Sequence, residues 1–232
     1  MVRKNVLISM LMVGAAGLGS YWYFRNVWFF RDPKRKAPEG DNIIIAPADG
    51  QVVYIKPVKD GKVVSNKLGE AISIPEITKM YKGDSDGWLI GIYMSPLDVH
   101  FNYAPVDGHI DSIYHYQAKT NLPMVDLWEY VKITWLRRWV DLFSKKWHFE
   151  NERSTVVVNS ELGTIAMVEI ADKFVNKIET FVREGDNVKK GQKISFIKRG
   201  SQVDLFIPKK DLSWHVTVGQ HVVGAETILA NW

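Results

Sequence analysis

The chain contains no cysteine. Disulfides, zinc–thiolate sites and a thiol nucleophile are therefore excluded, while the redox compartment stays open. No nucleic-acid-binding module is recognisable either. The excess of positive charge is small, 30 Lys and Arg against 26 Asp and Glu. Because the basic residues cluster beside apolar runs, this mild basicity fits an anionic membrane surface better than a nucleic acid. What is present suits one globular domain with a small addition: 232 residues, 46% hydrophobic and 24% charged, are enough for a real core.

Asn5 to Phe24 is nearly all apolar, about the twenty residues that a spanning helix needs. Tyr21, Trp22, Tyr23 and Trp28 suit a membrane interface. Gly14, Gly17 and Gly19 would let helices approach closely. The run is long for a cleaved signal peptide and lacks a clear cleavage site, so retention is expected. Shallow insertion without spanning is the alternative. Arg3 and Lys4 precede the run; Arg25, Arg31, Lys34, Arg35 and Lys36 follow it. The heavier positive side stays cytoplasmic, so the sequence predicts a cell-membrane protein with its main domain in the cytoplasm. The expected division is a membrane-anchoring helix with its interface residues over 1–30, a polar linker over 31–42 broken by Pro33, Pro38 and Gly40, and a β-rich domain over 43–232.

That domain is written in short β-branched or aromatic runs separated by turn signals: 43–46, 51–56, 62–65, 88–93, 108–116, 155–158, 164–170, 174–182, 193–198, 203–207, 215–218 and 227–230. Many short strands predict a mostly β domain, a barrel or a sandwich. A faint repeat marks the carboxyl end. Gly185-Asp186-Asn187-Val188 leads to Gly191, and Gly219-Gln220-His221-Val222 leads to Gly224. Both are expected to be tight hairpins, in the rhythm of lipoyl- and biotinyl-carrier sandwiches. Met124 to Trp147 is the exception. Trp128, Val131, Trp135, Trp139 and Leu142 fall at helical spacing, with Arg137, Arg138, Lys145 and Lys146 mostly opposite. An inserted amphipathic helix is expected there, packed on the core or lying in a bilayer interface.

Three short motifs carry candidate chemistry: Pro47-Ala48-Asp49-Gly50, Ser95-Pro96-Leu97-Asp98-Val99-His100, and Gly200-Ser201 before the strand-like Val203, Leu205 and Ile207. Taken singly, each is ordinary. Asp49 would close a type I turn, His100 would be a core histidine, and Ser201 would be a loop serine. His109, His115, His148, His215 and His221 are left as structural or surface residues, and His215 with His221 lacks a third metal ligand. In their order, together with Phe29-Phe30-Arg31-Asp32-Pro33, Glu150-Asn151-Glu152-Arg153, Gly163-Thr164 and the Gly219–Gly224 tail, the motifs resemble the short form of the phosphatidylserine decarboxylase family from the linker to the end.

The resemblance implies a self-processing zymogen. Ser201 would attack the Gly200 carbonyl, turning the amide into an ester. Elimination and hydrolysis would then leave a pyruvoyl group at residue 201. The pieces, β 1–200 and α 201–232, would stay associated, and a homo-oligomer is left open. His100 would be the base that activates the hydroxyl, and Asp49 would orient the imidazole. The pyruvoyl group, without pyridoxal phosphate or metal, would form a Schiff base with phosphatidylserine and release phosphatidylethanolamine. Longer relatives carry a second histidine where this chain has Tyr103, so both proton-handling roles fall to His100. The Met124–Trp147 segment reads as an insertion relative to the short forms. Ala171-Asp172 and Phe174–Lys177 replace the usual text after the Gly163 run. Two other readings compete: a non-enzymatic membrane-tethered β-sandwich adaptor, and a decarboxylase of a related serine-headgroup lipid.

Overall fold

The computed structural model describes residues 2–64, 71–79, 86–143, 145–173, 178–198 and 201–232, without the side chains of 2–8 and 64. Gly200, expected on the amino side of the cleaved bond, the Phe174–Lys177 text and Ser65 lie outside the described residues. The chain divides into two compact units, 1–33 and 34–232.

In the first unit α1 (Val2–Asn26) runs into a single 3₁₀ turn at Trp28–Phe30. Apolar side chains along α1 face outward, among them Leu11, Val13, Leu18 and Trp22. Among the described residues no helix is long and apolar enough to cross a membrane.

The second unit is mostly β. Its strands are β1 (Ile43–Ile45), β2 (Gly50–Lys59), β3 (Lys62–Val64), β4 (Ala71–Ser73), β5 (Gly87–Met94), β6 (Phe101–Tyr103), β7 (Gly108–Tyr116) and β8 (Arg153–Ser160). They continue as β9 (Gly163–Ala171), β10 (Ile178–Thr180), β11 (Asn187–Val188), β12 (Lys193–Ile197), β13 (Ser201–Ile207), β14 (Ser213–Trp214), β15 (His221–Val222) and β16 (Ile228–Asn231). The main sheet has the order β11-β7-β8-β9-β13-β5-β2-β3-β4, with β15 added to β2; two three-stranded sheets are β10-β12-β6 and β1-β16-β14. The sheets do not close into a barrel, and the arrangement is sandwich-like.

Side chains alternate between the two faces of a strand, and both faces of the main sheet are covered. Val203, Leu205 and Ile207 join one core with Met94, Ile92 and Met167; Phe206 joins a second core with Tyr93, Val168 and Ile170. All seven residues of β13 are consequently buried, which explains its near-continuous apolar text. Most predicted runs became strands, but 215–218 did not. There the pairing falls one step earlier, at Ser213 and Trp214 against Asn231 and Ala230.

The two Gly-led hairpins belong to a repeat that includes the starts of the strands they pair with. β11 pairs with the start of β7, Val188 opposite Gly108, and β15 pairs with the start of β2, Val222 opposite Gly50. Each partner strand follows a matching turn, Ala104-Pro105-Val106-Asp107-Gly108 or Ala46-Pro47-Ala48-Asp49-Gly50. In each the Asp caps the facing hairpin: Asp107 Oδ1 accepts from Lys190 N at 2.6 Å, and Asp49 Oδ1 accepts from Gly224 N at 2.8 Å. Gly50 has φ +148° and Tyr93 O would lie 2.2 Å from a Cβ there, so this turn tolerates only glycine.

The 124–147 segment is helical over a shorter span than its periodicity predicts. α3 (Leu127–Tyr130), opened by an Asp126–Glu129 capping box, continues through a π turn at Val131–Trp135. The helix ends at Leu136, and Arg137 takes a left-handed φ of 51°. The chain reverses there, so Leu142, Phe143 and Trp147 reach the core while Trp128, Trp135 and Trp139 do not. Two further short helices are α2 (Ile74–Thr78) and α4 (Trp147–Glu150).

Candidate active site

Two adjacent crossovers build the site. β5 pairs antiparallel with β13, Met94 opposite Ser201, and β6 pairs with β12, Phe101 opposite Phe196. The 95–100 loop joins β5 to β6, and the chain from Lys198 joins β12 to β13. Both connections therefore leave the same edge, and the Ile197 N–H donates to His100 O at 3.1 Å. This topology brings the histidine loop to the start of the strand that begins with Ser201.

Ser201 is fully buried between Met94 on β5 and Ala171 on β9. Its Oγ lies 3.2 Å from Met94 Sδ, a weak acceptor. These surroundings of methyl and thioether groups fit a small uncharged keto group.

His100 is also fully buried, with Nδ1 3.0 Å from the Asp98 carbonyl oxygen. A carbonyl can only accept, so Nδ1 carries the hydrogen and the lone pair of a neutral ring sits on Nε2. Asp49 is tied from several sides. The Arg35 guanidinium grips both its oxygens, with Nη2–Oδ2 at 2.8 Å, and donates to Gly224 O at 2.6 Å. The Val99 N–H donates to Asp49 Oδ2 at 3.3 Å, beside His100. Burial works to lower the Arg35 pKa, but the bond to Asp49 and its charge outweigh it and hold the guanidinium above its usual value. The Arg35 ion also lies 5.3 Å from the Tyr103 ring centroid.

Several participants carry no signal of their own in the sequence. Arg35 reads as a linker cation. Asp98 reads as part of the histidine motif, yet its Oδ2 accepts from Ser95 N and Oγ and its Oδ1 from His221 Nε2 at 2.8 Å. Burial pushes the Asp98 carboxyl up, but the His221 and Ser95 bonds bring it below its usual value. Asp98 thus joins two histidines, by its carboxylate to His221 and by its carbonyl to His100.

Glu169 is fully buried on β9, two residues from Ala171 and hence on the face that Ser201 shares. Its Oε1 accepts from Asn102 Nδ2 at 2.7 Å and from Ser195 Oγ, linking β9 to β6 and β12. Burial pushes this carboxyl up to about 7, with the Ser195 and Asn102 bonds opposing.

On the opposite face Asp204 accepts from Tyr54 OH, from Gln202 Nε2 at 2.7 Å and from His148 Nε2 at 2.6 Å. Arg153, fully buried, donates to the carbonyls of Ile77, His148 and Asn151; burial lowers its pKa to about 10, and the Asp204 charge resists. Among the described residues no three His, Asp or Glu side chains converge as metal ligands.

Comparison with known proteins adds a family. A family model described as phosphatidylserine decarboxylase matches residues 23–230. A Methanocaldococcus jannaschii protein whose name assigns it as an archaetidylserine decarboxylase proenzyme is 32% identical over 205 residues, 88% of each chain. The phosphatidylserine decarboxylase proenzymes of Ralstonia nicotianae and Aromatoleum aromaticum are each 28% identical, over 97% and 96% of this chain and 88% of theirs.

Proposed function

The chain belongs to the phosphatidylserine decarboxylase family, whose chemistry is carbon–carbon bond cleavage, and on that premise we propose a self-cleaving, pyruvoyl-dependent enzyme that converts phosphatidylserine to phosphatidylethanolamine. The observation that carries the reading is the convergence of the His100 loop and the start of β13 at one sheet edge.

The proposed cleavage uses the chain's own groups and consumes one water molecule. Ser201 Oγ adds to the carbonyl carbon of residue 200, and its proton passes to His100 Nε2. The C–N bond breaks as His100 returns that proton to the nitrogen, leaving an ester and a free amine on residue 201. The regenerated His100 base then takes the residue 201 α-hydrogen as a proton, and the ester oxygen leaves as the carboxylate of the 1–200 piece. Water then replaces the amine, which leaves as ammonia. The pyruvoyl group supplies a carbonyl for the substrate amine and an electron sink for the departing carbon dioxide. Full burial of Ser201 and His100 keeps bulk water from competing at the ester. Arg35 and Asp49 act as positioning residues: they fix the Val99 amide, and with it the histidine loop. After cleavage β13 remains hydrogen-bonded between β5 and β9, which supports lasting association of the pieces.

The same proposal inserts the apolar surface of α1 in the cell membrane, with residues 34–232 on the cytoplasmic side. The heavier positive charge after the apolar run supports that orientation. Similarity to the Methanocaldococcus protein favours a second substrate reading, an archaeal lipid with the same serine headgroup. Ser201→Ala is expected to remain one chain and release no carbon dioxide from either lipid. Turnover by that variant contradicts the cofactor assignment, and product mass spectrometry separates the two substrates.

A further inference from the structure

The 124–147 segment presents five large apolar side chains to solvent within thirteen residues: Leu127 is 81% exposed, Trp128 60%, Trp135 65%, Leu136 50% and Trp139 51%. Their exposure is not a packing failure. The same segment sends Ile133, Leu142, Phe143 and Trp147 into the core. Trp139 anchors its indole N–H on Val53 O at 2.7 Å and leaves half of its surface outside. Apolar patches of this kind on a soluble surface mark a binding face.

Charge identifies the partner. Residues 127–139 contain three cations, Lys132, Arg137 and Arg138, and one acidic residue, Glu129, which is paired with Lys145. Arg137 and Arg138 are exposed beside Trp135 and Trp139. Tryptophan interleaved with arginine and lysine matches a bilayer interface carrying anionic headgroups.

Position relates the patch to the site. Gln51 Nε2 donates to Arg137 O at 3.3 Å and to Gly219 O at 2.9 Å, and Gln51 lies opposite His221, the partner of Asp98. At the base of the segment Asn151 holds Leu122 by two bonds and donates to the carbonyl of Ala171, which lies opposite Ser201. The patch thus sits at the end of the sheet where Ser201 and the histidine loop meet.

We infer that the outward face of residues 127–139 is a docking surface for an anionic lipid bilayer, turning the Ser201 edge of the domain toward the membrane. The inference rests on the proposed lipid substrate for its purpose, but not for its test. Because the chain has no cysteine, a single Trp135→Cys change in the full-length protein accepts one environment-sensitive label. α1 also offers an apolar surface to vesicles, so the readout is local fluorescence rather than binding. Phosphatidylcholine vesicles with and without about one-third phosphatidylglycerol serve as probes, because several cations act together on an anionic surface. On anionic vesicles the label at 135 should shift to the blue and be quenched severalfold by shallow spin-labelled lipid. A label at Glu161→Cys, beyond the far end of β9, should stay water-like. Arg137→Ala with Arg138→Ala should reduce the response at 135 to that on uncharged vesicles. Trp128→Cys repeats the test if the first variant does not fold. A label at both positions that stays water-like on vesicle-bound protein overturns the inference, and so does a blue shift that depends on protein concentration without vesicles, which would reveal a second copy as the occupant. Ser201→Ala should dock unchanged, so a failure of docking and a failure of the cleavage chemistry are read separately.

Discussion

At the scale of single residues, the buried carboxyls make opposite pH demands. The Glu169 pKa is raised, from 4.5 to about 7. The folded state therefore holds its proton more tightly than the unfolded chain. The resulting stability is complete below about pH 4.5 and lost as pH rises to about 7, a difference on the order of 3 kcal/mol. The opposing residues on the neighbouring strands are Ser154 on β8 and Val203 on β13, and the groups from β6 and β12 are Asn102 and Ser195; none supplies a compensating cation. Glu169→Gln should flatten this slope in chemical denaturation of the full chain in mild detergent, and an unchanged slope refutes the assignment. Asp98 is shifted the other way, so its contribution is present at neutral pH and fades in acid. For Arg35→Ala the expected cost is on the order of 3 kcal/mol, because Asp49 would keep its burial and lose its cation. Cleavage by this variant should also slow, whereas Arg35→Lys should recover part of the stability. Asp49, His100 and Ser201 stand out as candidates in the sequence because they lie in ordered motifs. Arg35, His221 and Glu169 do not, because their roles arise from pairings between segments up to 189 residues apart, as in the Arg35–Gly224 bond.

At the scale of elements, β13 must accommodate different chemistry on its two faces. Its Ser201 face meets the Glu169 network, and its Asp204 face, which also carries Gln202, meets Tyr54 and His148. Tyr54 reaches Asp204 only because Gly91 carries no side chain: a Cβ there would lie 2.3 Å from the Tyr54 ring. Gly91→Ala should force the ring aside, break the Asp204 bond and destabilise the domain by at least about 3 kcal/mol, measured as a lowered Tm with loss of cleavage. The strand runs were legible from β-branched and aromatic text. Short β6, β11 and β15 have too few residues to show an alternation. The 124–147 periodicity gave a longer helix than exists, since helical spacing cannot report the left-handed turn at Arg137, beyond which Phe143 and Trp147 are buried while Trp139 stays half exposed.

At the scale of the whole molecule, the repeat separates scaffold from chemistry. Asp107 caps one hairpin just as Asp49 caps the other, so capping alone accounts for an aspartate at that turn. What distinguishes the Asp49 copy is its surroundings: Arg35, the Val99 amide and the histidine loop. The faint hairpin rhythm in the sequence was half of this repeat, and the matching Ala-Pro-x-Asp-Gly turns complete it. An adaptor of similar architecture would need the two caps but not the buried serine and histidine at one edge. Denaturing intact-mass analysis of the purified full-length chain tests the central claim most directly. The account predicts two species, residues 1–200 and 201–232, the smaller lacking a free amine and carrying a ketone. A single intact 232-residue chain that nevertheless decarboxylates lipid contradicts it.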